Sequence, residues 1–171
     1  RRIDLVSVQG TISGLNSVGG IAGQIVRSII QRGQADVTAW ASGDYAGGIV
    51  GSVSSDASFN STVSTCESSG MVRASSNAGG LIGSLGYGSL INSASHAAVL
   101  GYSQIGGAVG LCGWNDPGSV VRYYSTGQII TEPGGYHAGG LVGRLQNGQI
   151  YNSYWDTQSS GVSSSSGAAT G

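Results

Sequence analysis

Short apolar segments alternate with polar, glycine-rich stretches along the whole chain. A block of two glycines, two apolar residues and a third glycine occurs five times, and its first glycines are 28, 32, 27 and 33 residues apart. Such a period is typical of stacked repeats, so each repeat predicts one structural unit. The glycine pairs are the predicted structural positions of the repeat: Gly19, Gly20, Gly47, Gly48, Gly79, Gly80, Gly106, Gly107, Gly139 and Gly140.

Two further apolar segments accompany each block, and both are rich in β-branched and aromatic residues, which favour strands. The second segment follows the block, at residues 25–30, 63–66, 90–94, 120–124 and 150–154. The third segment is centred on Ile12, Val37, Val72, Val99 and the pair Ile129-Ile130. A helical repeat would need apolar residues three and four apart and few glycines, and the chain has neither. Three strands per unit is the simplest interpretation.

These patterns predict an all-β fold, a parallel β-solenoid (β-helix) of about five coils with roughly three short strands per coil. Coils of this kind stack about 4.8 Å apart through parallel backbone hydrogen bonds. Residues 19–156 form the predicted five-repeat solenoid, and residues 1–18 are the end of a preceding coil or an N-terminal cap. The Ser/Gly-rich residues 157–171 are a C-terminal cap or tail. The second and fourth units are longer, and their extra residues, 53–59 and 113–118, are predicted to bulge from one edge.

The composition limits the classes of function. Only 9% of the 171 residues are charged and the formal net charge is −1, so the predicted surface is neutral and rich in hydroxyl groups. All seven basic residues are arginines spread along the chain, which argues against nucleic-acid binding. No apolar run approaches the 18 or more residues of a membrane span, and the first residues lack a signal-peptide pattern. The chain is therefore expected to be a mature protein or a fragment.

The fifth unit carries a family resemblance. Gly139-Gly-Leu-Val-Gly143, Ile150-Tyr-Asn-Ser-Tyr154 and the ending Tyr154-Trp-Asp-Thr-Gln-Ser-Ser-Gly161 resemble the GLUG repeats of bacterial surface proteins. Such repeats occur in filamentous-haemagglutinin-like adhesins and in the repeat regions of surface peptidases. The resemblance implies a secreted or cell-surface location and no catalytic residues. The fourth unit departs from the pattern, with Ala108 at the usual leucine and Tyr123-Tyr124 in its second segment.

Candidate catalytic and metal-binding groups were sought in the repeat. The eight acidic residues occupy different phases of the repeat, and the nearest to a pair, Asp36 and Asp44, belong to one coil. His96 and His137 have no third ligand at metal spacing. No catalytic, metal or cofactor site is predicted.

The two cysteines differ in phase. Cys66 aligns with Ala94 and Ile29 and is expected to be a small buried hydrophobe, whereas Cys112 begins the insertion of unit four. A disulfide would require the long edges of units two and four to fold towards each other. The state of the pair stays open.

Aromatic residues near turns are the candidate surface contacts: Trp114, Tyr45, Tyr87, Tyr102 and Tyr136. The leading prediction is a non-catalytic, extracellular structural or adhesive β-solenoid, part of a surface adhesin or of a fibre formed by self-association. A glycan or another cell-surface ligand is the candidate partner. The alternatives are a carbohydrate-binding module that uses the two insertions and, with less support, a β-helix enzyme acting on polysaccharide.

Overall fold

The computed structural model of the chain describes residues 1–56, 58–114 and 116–169, so insertion residues 57 and 115 and the last two residues of the predicted tail lie outside the described part. The described residues form parallel strands and one four-residue helix, α1 (Thr157–Ser160). In chain order the strands are β1 (Arg2–Gly14), β2 (Val18–Gly19), β3 (Ala22–Val26), β4 (Ile29–Gly47), β5 (Val50–Ser54), β6 (Ser61–Ser64), β7 (Glu67–Gly79), β8 (Ile82–Leu85), β9 (Gly88–Ser95), β10 (Ala98–Gly106), β11 (Val109–Cys112), β12 (Gly118–Ser125), β13 (Ile129–Gly139), β14 (Val142–Leu145), β15 (Gly148–Tyr151), β16 (Tyr154–Trp155) and β17 (Ser166–Ala169).

The strands stack into three faces. Face 1 holds the strand that follows each glycine pair, in the order β3, β5, β8, β11, β14 and β17. Face 2 begins with the first parts of β1 and β4 and continues through β6, β9, β12 and β15. Face 3 is formed by the later parts of β1 and β4 and by β7, β10 and β13. The prediction of a parallel β-solenoid of about five coils with three strands per coil is therefore confirmed.

The core is a column of stacked apolar side chains inside the coils. Ile30, Val63, Leu90 and Val120 lie one above another on face 2, and all four are fully buried. Val50, Ile82, Val109 and Val142 form the equivalent buried column on face 1. Each such side chain contributes about 1.5–3 kcal/mol on burial, so the column is the main favourable term of folding. Among the described residues, no helix is long and apolar enough to cross a bilayer.

The glycine pair lies at the corner between faces 3 and 1, called here the glycine corner. Gly19, Gly47, Gly79, Gly106 and Gly139 are in register from coil to coil. None of them has a positive φ, so conformational freedom is not the reason for glycine. A Cβ on Gly79 would lie against the Ile82 carbonyl oxygen and 2.7 Å from the Gly110 nitrogen. Glycine is required because successive backbones touch at this corner.

A second corner, between faces 2 and 3, explains the Asn-Ser pairs of the repeat. Asn92 and Asn152 have left-handed backbone angles, φ 50° and 47°, which asparagine tolerates better than most residues. The Ser93 hydroxyl accepts from the Cys66 amide at 3.0 Å and donates to the Ile91 carbonyl at 2.8 Å. Ser153 makes the same pair of hydrogen bonds in the last coil. The serine hydroxyl thus replaces a strand hydrogen bond that the bend interrupts.

The two residues of the fourth unit that differ from the repeat pattern, Ala108 and Tyr123, lie in the same region of the core. Ala108 stands in the column where Leu81 and Leu141 lie in the neighbouring coils, and Tyr123 stands where other coils have Ser93 and Ser153. Tyr123 is 2% exposed, and its hydroxyl donates to the carbonyl of Gly107, the residue before Ala108, at 2.5 Å. We infer that the tyrosine ring fills the space that the missing leucine leaves.

The two ends of the stack differ. At the first coil, the inward residues Ile3, Val8 and Ile12 of β1 are only partly buried. At the last coil, the Trp155 ring lies in the interior beside Gly140, and its indole nitrogen donates to the Val162 carbonyl at 3.0 Å. Helix α1 follows, and β17 then adds a further strand to face 1, paired with β14. Part of the predicted cap or tail therefore continues the stack.

Two predicted alignments are wrong by a short shift. On face 3, Ala39 rather than Val37 is in register with Ile12 and Val72. Val37 is buried two residues earlier on the same strand, level with Gly10 and Gly70, so the larger side chain was taken for the repeat position. Cys66 lies level with Gly33 and Ser93 rather than with Ile29 and Ala94. The glycine blocks, by contrast, align as predicted.

The close approach at the glycine corner predicts that Gly79→Ala lowers the free energy of unfolding by at least about 3 kcal/mol, because the added methyl overlaps rigid backbone. Gly86→Ala is the matched control: its φ is not positive and a Cβ there would be 3.6 Å or more from its nearest neighbours. The control should change the free energy by less than about 1 kcal/mol. Denaturant titration of both variants measures the difference, and equal effects would contradict the close-contact explanation.

If the Tyr123 ring fills the space beside Ala108, substitutions at the two positions should have non-additive effects on the free energy of unfolding. Tyr123→Ser should cost about 3 kcal/mol or more through a cavity, and Ala108→Leu about 1–3 kcal/mol through overpacking against the ring. The double variant restores the residues of the neighbouring coils, so its cost should be smaller than the sum of the two by at least about 1 kcal/mol. Denaturant unfolding of the four proteins gives the coupling, and strict additivity would show that the two sites do not share space.

Candidate functional site

The residue two positions before each glycine pair sets the shape of the glycine corner. In every coil this residue has a left-handed backbone, with φ between 54° and 66°, although its identity varies: Ser17, Tyr45, Asn77, Gln104 and His137. The residues that follow it are paired from coil to coil, as in Ala46 with Ala78 and Ala78 with Ile105. The corner therefore carries a column of dissimilar side chains at the coil spacing.

A groove of about 330 Å³ lies between this column and the outer surface of face 1, and is called here the corner groove. It spans the second, third and fourth coils. Its lining combines two aromatic rings, one carboxylate, two amides, two hydroxyls and one leucine: Asp44, Tyr45, Ser76, Asn77, Ser84, Gln104, Leu111 and Trp114.

Trp114, which follows β11 on face 1, lines the groove together with Leu111. Leu111 occupies the outward position that Ser84 and Arg144 take in the adjacent coils, yet it is only 4% exposed. The Arg144 guanidinium lies 5.8 Å from the centre of the indole ring. Trp114 itself remains 53% exposed. The indole therefore has a cation beside its ring while about half of the residue faces solvent.

Two buried amide oxygens in the groove lack a partner among the described residues. Asn77 is only 5% exposed; its amide nitrogen donates to the Ser76 hydroxyl at 2.9 Å, and its Oδ1 has no partner there. The Oε1 of Gln104 is likewise buried and unpaired. Because a buried oxygen without a hydrogen bond costs about 1–3 kcal/mol, such atoms call for an explanation.

Further aromatic rings extend the corner towards the C-terminal coils. Tyr102 and Tyr136 meet edge to face at 5.8 Å, and the Tyr136 ring lies 4.6 Å from that of His137. The His137 Nδ1 is buried and has no partner among the described residues. Burial and the nearby charge of Arg144 lower the pKa of His137 below its ordinary value of 6.5. His137 and Arg144 therefore link this aromatic pair to Trp114.

Four of the five predicted surface aromatics thus lie along the glycine corner. Tyr45 and Trp114 line the groove, and Tyr102 and Tyr136 form the adjacent pair. Tyr87 is separate: it lies between β8 and β9, at the corner between faces 1 and 2, and is half-buried. The sequence analysis did not single out Asn77, Gln104 or Leu111. The position two residues before each glycine pair was the available signal for the two amides.

Most acidic side chains are engaged elsewhere on the surface. A hydrogen bond from Arg32 is the largest cause that lowers the pKa of Asp4 to about 2, and Asp56 pairs with Arg27. Glu132 pairs with Arg73 at 2.8 Å, and Glu67 lies 3.4 Å from His96. Among the described residues, no cluster of three His, Cys, Asp or Glu side chains could hold a metal ion.

Both cysteines are buried free thiols. Burial raises the pKa of Cys66 and raises that of Cys112 to about 12. Cys66 is thus the small buried residue that was predicted, and the disulfide that had been left open is not formed in the structure.

Comparison with known proteins supports the fold. No family model matches the chain, and no curated protein matches it. A search of solved structures finds the crystal structure of a protein from Bacteroides ovatus described as a "putative immunoglobulin A1 protease", with a TM-score of 0.65 and 17% sequence identity. The match covers 99% of this chain and 66% of that chain, so this chain spans about two thirds of its neighbour. At this identity the likeness concerns the fold alone.

The depressed pKa of His137 predicts a pH-dependent stability. The unfolded chain takes up the proton near the ordinary pKa of 6.5, before the folded protein does, so the free energy of unfolding should decrease as the pH falls from 6.5 towards the lower folded pKa. Denaturant unfolding between about pH 7.5 and pH 5 measures this slope. His137→Asn, which suits the left-handed backbone and does not titrate, should show a smaller decrease; identical slopes would contradict the assignment.

Proposed function

We propose that this chain is a non-catalytic structural and adhesive β-solenoid within a longer secreted or cell-surface protein. The observation that carries the proposal is the unbroken stacking of coils from β1 to β17, in which each coil is held by its neighbours. Such a stack acts as a stiff spacer whose length depends on the number of coils. Five coils at about 4.8 Å give a rod segment of about 24 Å.

The surface location is supported by the composition and by the family resemblance. The chain presents few charges and many hydroxyl groups, and its glycine blocks and Tyr-Trp-Asp-Thr segment resemble the GLUG repeats of bacterial surface proteins. The structural neighbour is longer than this chain and is described as a "putative immunoglobulin A1 protease". The match covers 66% of that chain, and we propose that this chain is likewise one region of a longer protein, at the cell surface.

The proposal assigns no catalytic residue to this region. Glycoside hydrolysis needs two carboxyl groups held at a defined separation across a substrate. Here Asp4, Asp56 and Glu132 are paired with arginines, and the corner groove contains a single carboxylate, that of Asp44. The adhesive part of the proposal rests instead on the aromatic rings along the glycine corner.

Self-association is the second way in which this solenoid would build an extracellular structure. The inward residues of β1 are only partly buried by β4, so the other side of this coil suits pairing with a further coil, which a longer chain or a second copy would supply. Trp155 and α1 close the opposite end, so the two ends are not equivalent. Small-angle X-ray scattering of the purified chain distinguishes a single short rod from an end-to-end filament.

Surface exposure is tested with antibodies raised against residues 1–171. Intact cells that produce the protein should be labelled without permeabilisation, and brief protease treatment of the intact cells should remove the label. Labelling that appears only after the cells are permeabilised would refute an extracellular location.

In parallel, the purified chain should leave immunoglobulin A1 and soluble polysaccharides uncleaved. New fragments that appear only when the chain is added would refute the non-catalytic assignment.

A further inference from the structure

We propose that the corner groove binds a neutral oligosaccharide, with one sugar ring against the exposed part of the Trp114 indole. This inference deepens the proposed adhesive function and rests on it, because it names the class of ligand that the solenoid would adhere to. It also identifies the groove, rather than a strand face, as the contact surface.

The indole of Trp114 has the properties of a stacking platform. The Arg144 guanidinium lies beside the ring, which restricts the indole and leaves an exposed part for a ligand to cover. Aromatic faces suit the C–H surface of a sugar ring and bury a large apolar area. The groove volume of about 330 Å³ lies at the lower end of the range for small-molecule sites.

The unpaired amides supply the polar half of the recognition. Asn77 and Gln104 line the groove, and their buried oxygens, Oδ1 and Oε1, have no donor among the described residues. We infer that each amide turns towards the groove when a sugar hydroxyl donates to it. Tyr45, Asn77 and Gln104 occupy equivalent positions in successive coils, about 4.8 Å apart. A linear chain of sugars along the solenoid axis would meet a new side chain of the column at every coil.

The charge of the lining selects the kind of sugar. Among the described residues the lining contains one carboxylate, that of Asp44, and the Arg144 guanidinium lies 5.8 Å from the Trp114 indole. With one charge of each sign around the groove, neither an anionic nor a cationic sugar gains a net attraction, so the groove favours neutral sugars.

Trp40 provides a natural comparison within the same chain. Its indole is 48% exposed and lies 5.6 Å from the Arg73 guanidinium, much as Trp114 lies beside Arg144. Trp40 projects from the strands of face 3, where it is in register with Ser13 and Arg73. The two residues have similar exposure and similar arginine contacts, and only Trp114 lines the corner groove.

The experiment titrates the ¹⁵N-labelled chain with four neutral hexasaccharides: cellohexaose, laminarihexaose, mannohexaose and chitohexaose. The chain has three tryptophans, so three indole N–H signals report separately on Trp40, Trp114 and Trp155 once single substitutions assign them. With at least one hexasaccharide, the Trp114 signal should shift saturably while those of Trp40 and Trp155 stay in place.

Calorimetry with the hexasaccharide that binds then compares three variants. Trp114→Ala should weaken binding at least ~tenfold, and Trp40→Ala should change it less than ~twofold. Gln104→Asn keeps an amide at a left-handed position but shortens its reach, and should weaken binding about threefold to tenfold. Thermal unfolding of each variant verifies that it is folded.

The results separate this inference from the proposed function. If none of the four sugars shifts the Trp114 signal at about 10 mM, or if Trp40→Ala weakens binding as much as Trp114→Ala, the groove inference is wrong and the structural role is untouched. Mass spectrometry of the sugars after titration should recover intact hexasaccharides. Shortened products would instead overturn the non-catalytic assignment.

Discussion

Close contact between successive backbones at the glycine corner is the constraint on which the rest of the structure depends. The blocks place glycines where a Cβ would overlap the backbone of its own or an adjacent coil, as at Gly47, Gly79 and Gly110, or, at Gly140 of the last block, the Trp155 ring. The contact fixes the register of neighbouring coils at one point of every turn. Because strand side chains alternate with period two, a fixed register also fixes which residues face the core.

Because the register is fixed, side chains from neighbouring columns fill the same interior space at each coil. A smaller residue in one column is therefore compensated by a larger residue in the next, as with Ala108 and Tyr123. The fixed register also brings buried polar groups within hydrogen-bonding distance. The Ser68 hydroxyl donates to the Gly80 carbonyl at 2.6 Å and lies 2.9 Å from the Ser95 hydroxyl. The buried Ser68 hydroxyl is thus paired inside the coil by a carbonyl of the glycine pair.

The same constraint explains what could be predicted from the sequence. A glycine that touches backbone cannot be replaced, so the five blocks were visible in the sequence and predicted the fold and the repeat length. The extra length of the fourth unit was located only in part, because β13 also has extra residues between Thr131 and Tyr136 on face 3. On face 3 the repeat position of the first full coil is occupied by the small Ala39, so the apolar pattern pointed instead to Val37, which is buried two residues earlier. The corner column was not predicted, because a left-handed backbone is compatible with Ser17, Tyr45, Asn77, Gln104 and His137 alike.

The residues two positions before each glycine pair also differ from the rest of the coil, because their side chains are not fixed by packing in the core. Left-handed angles at non-glycine residues cost on the order of 1 kcal/mol each, and they recur at the corner between faces 2 and 3, so they reflect the bend itself. Once the bend is imposed, the identity of the side chain matters little to folding. These positions can therefore carry side chains used for binding. In the corner groove, Tyr45, Asn77 and Gln104 lie beside Trp114 and form the candidate binding surface.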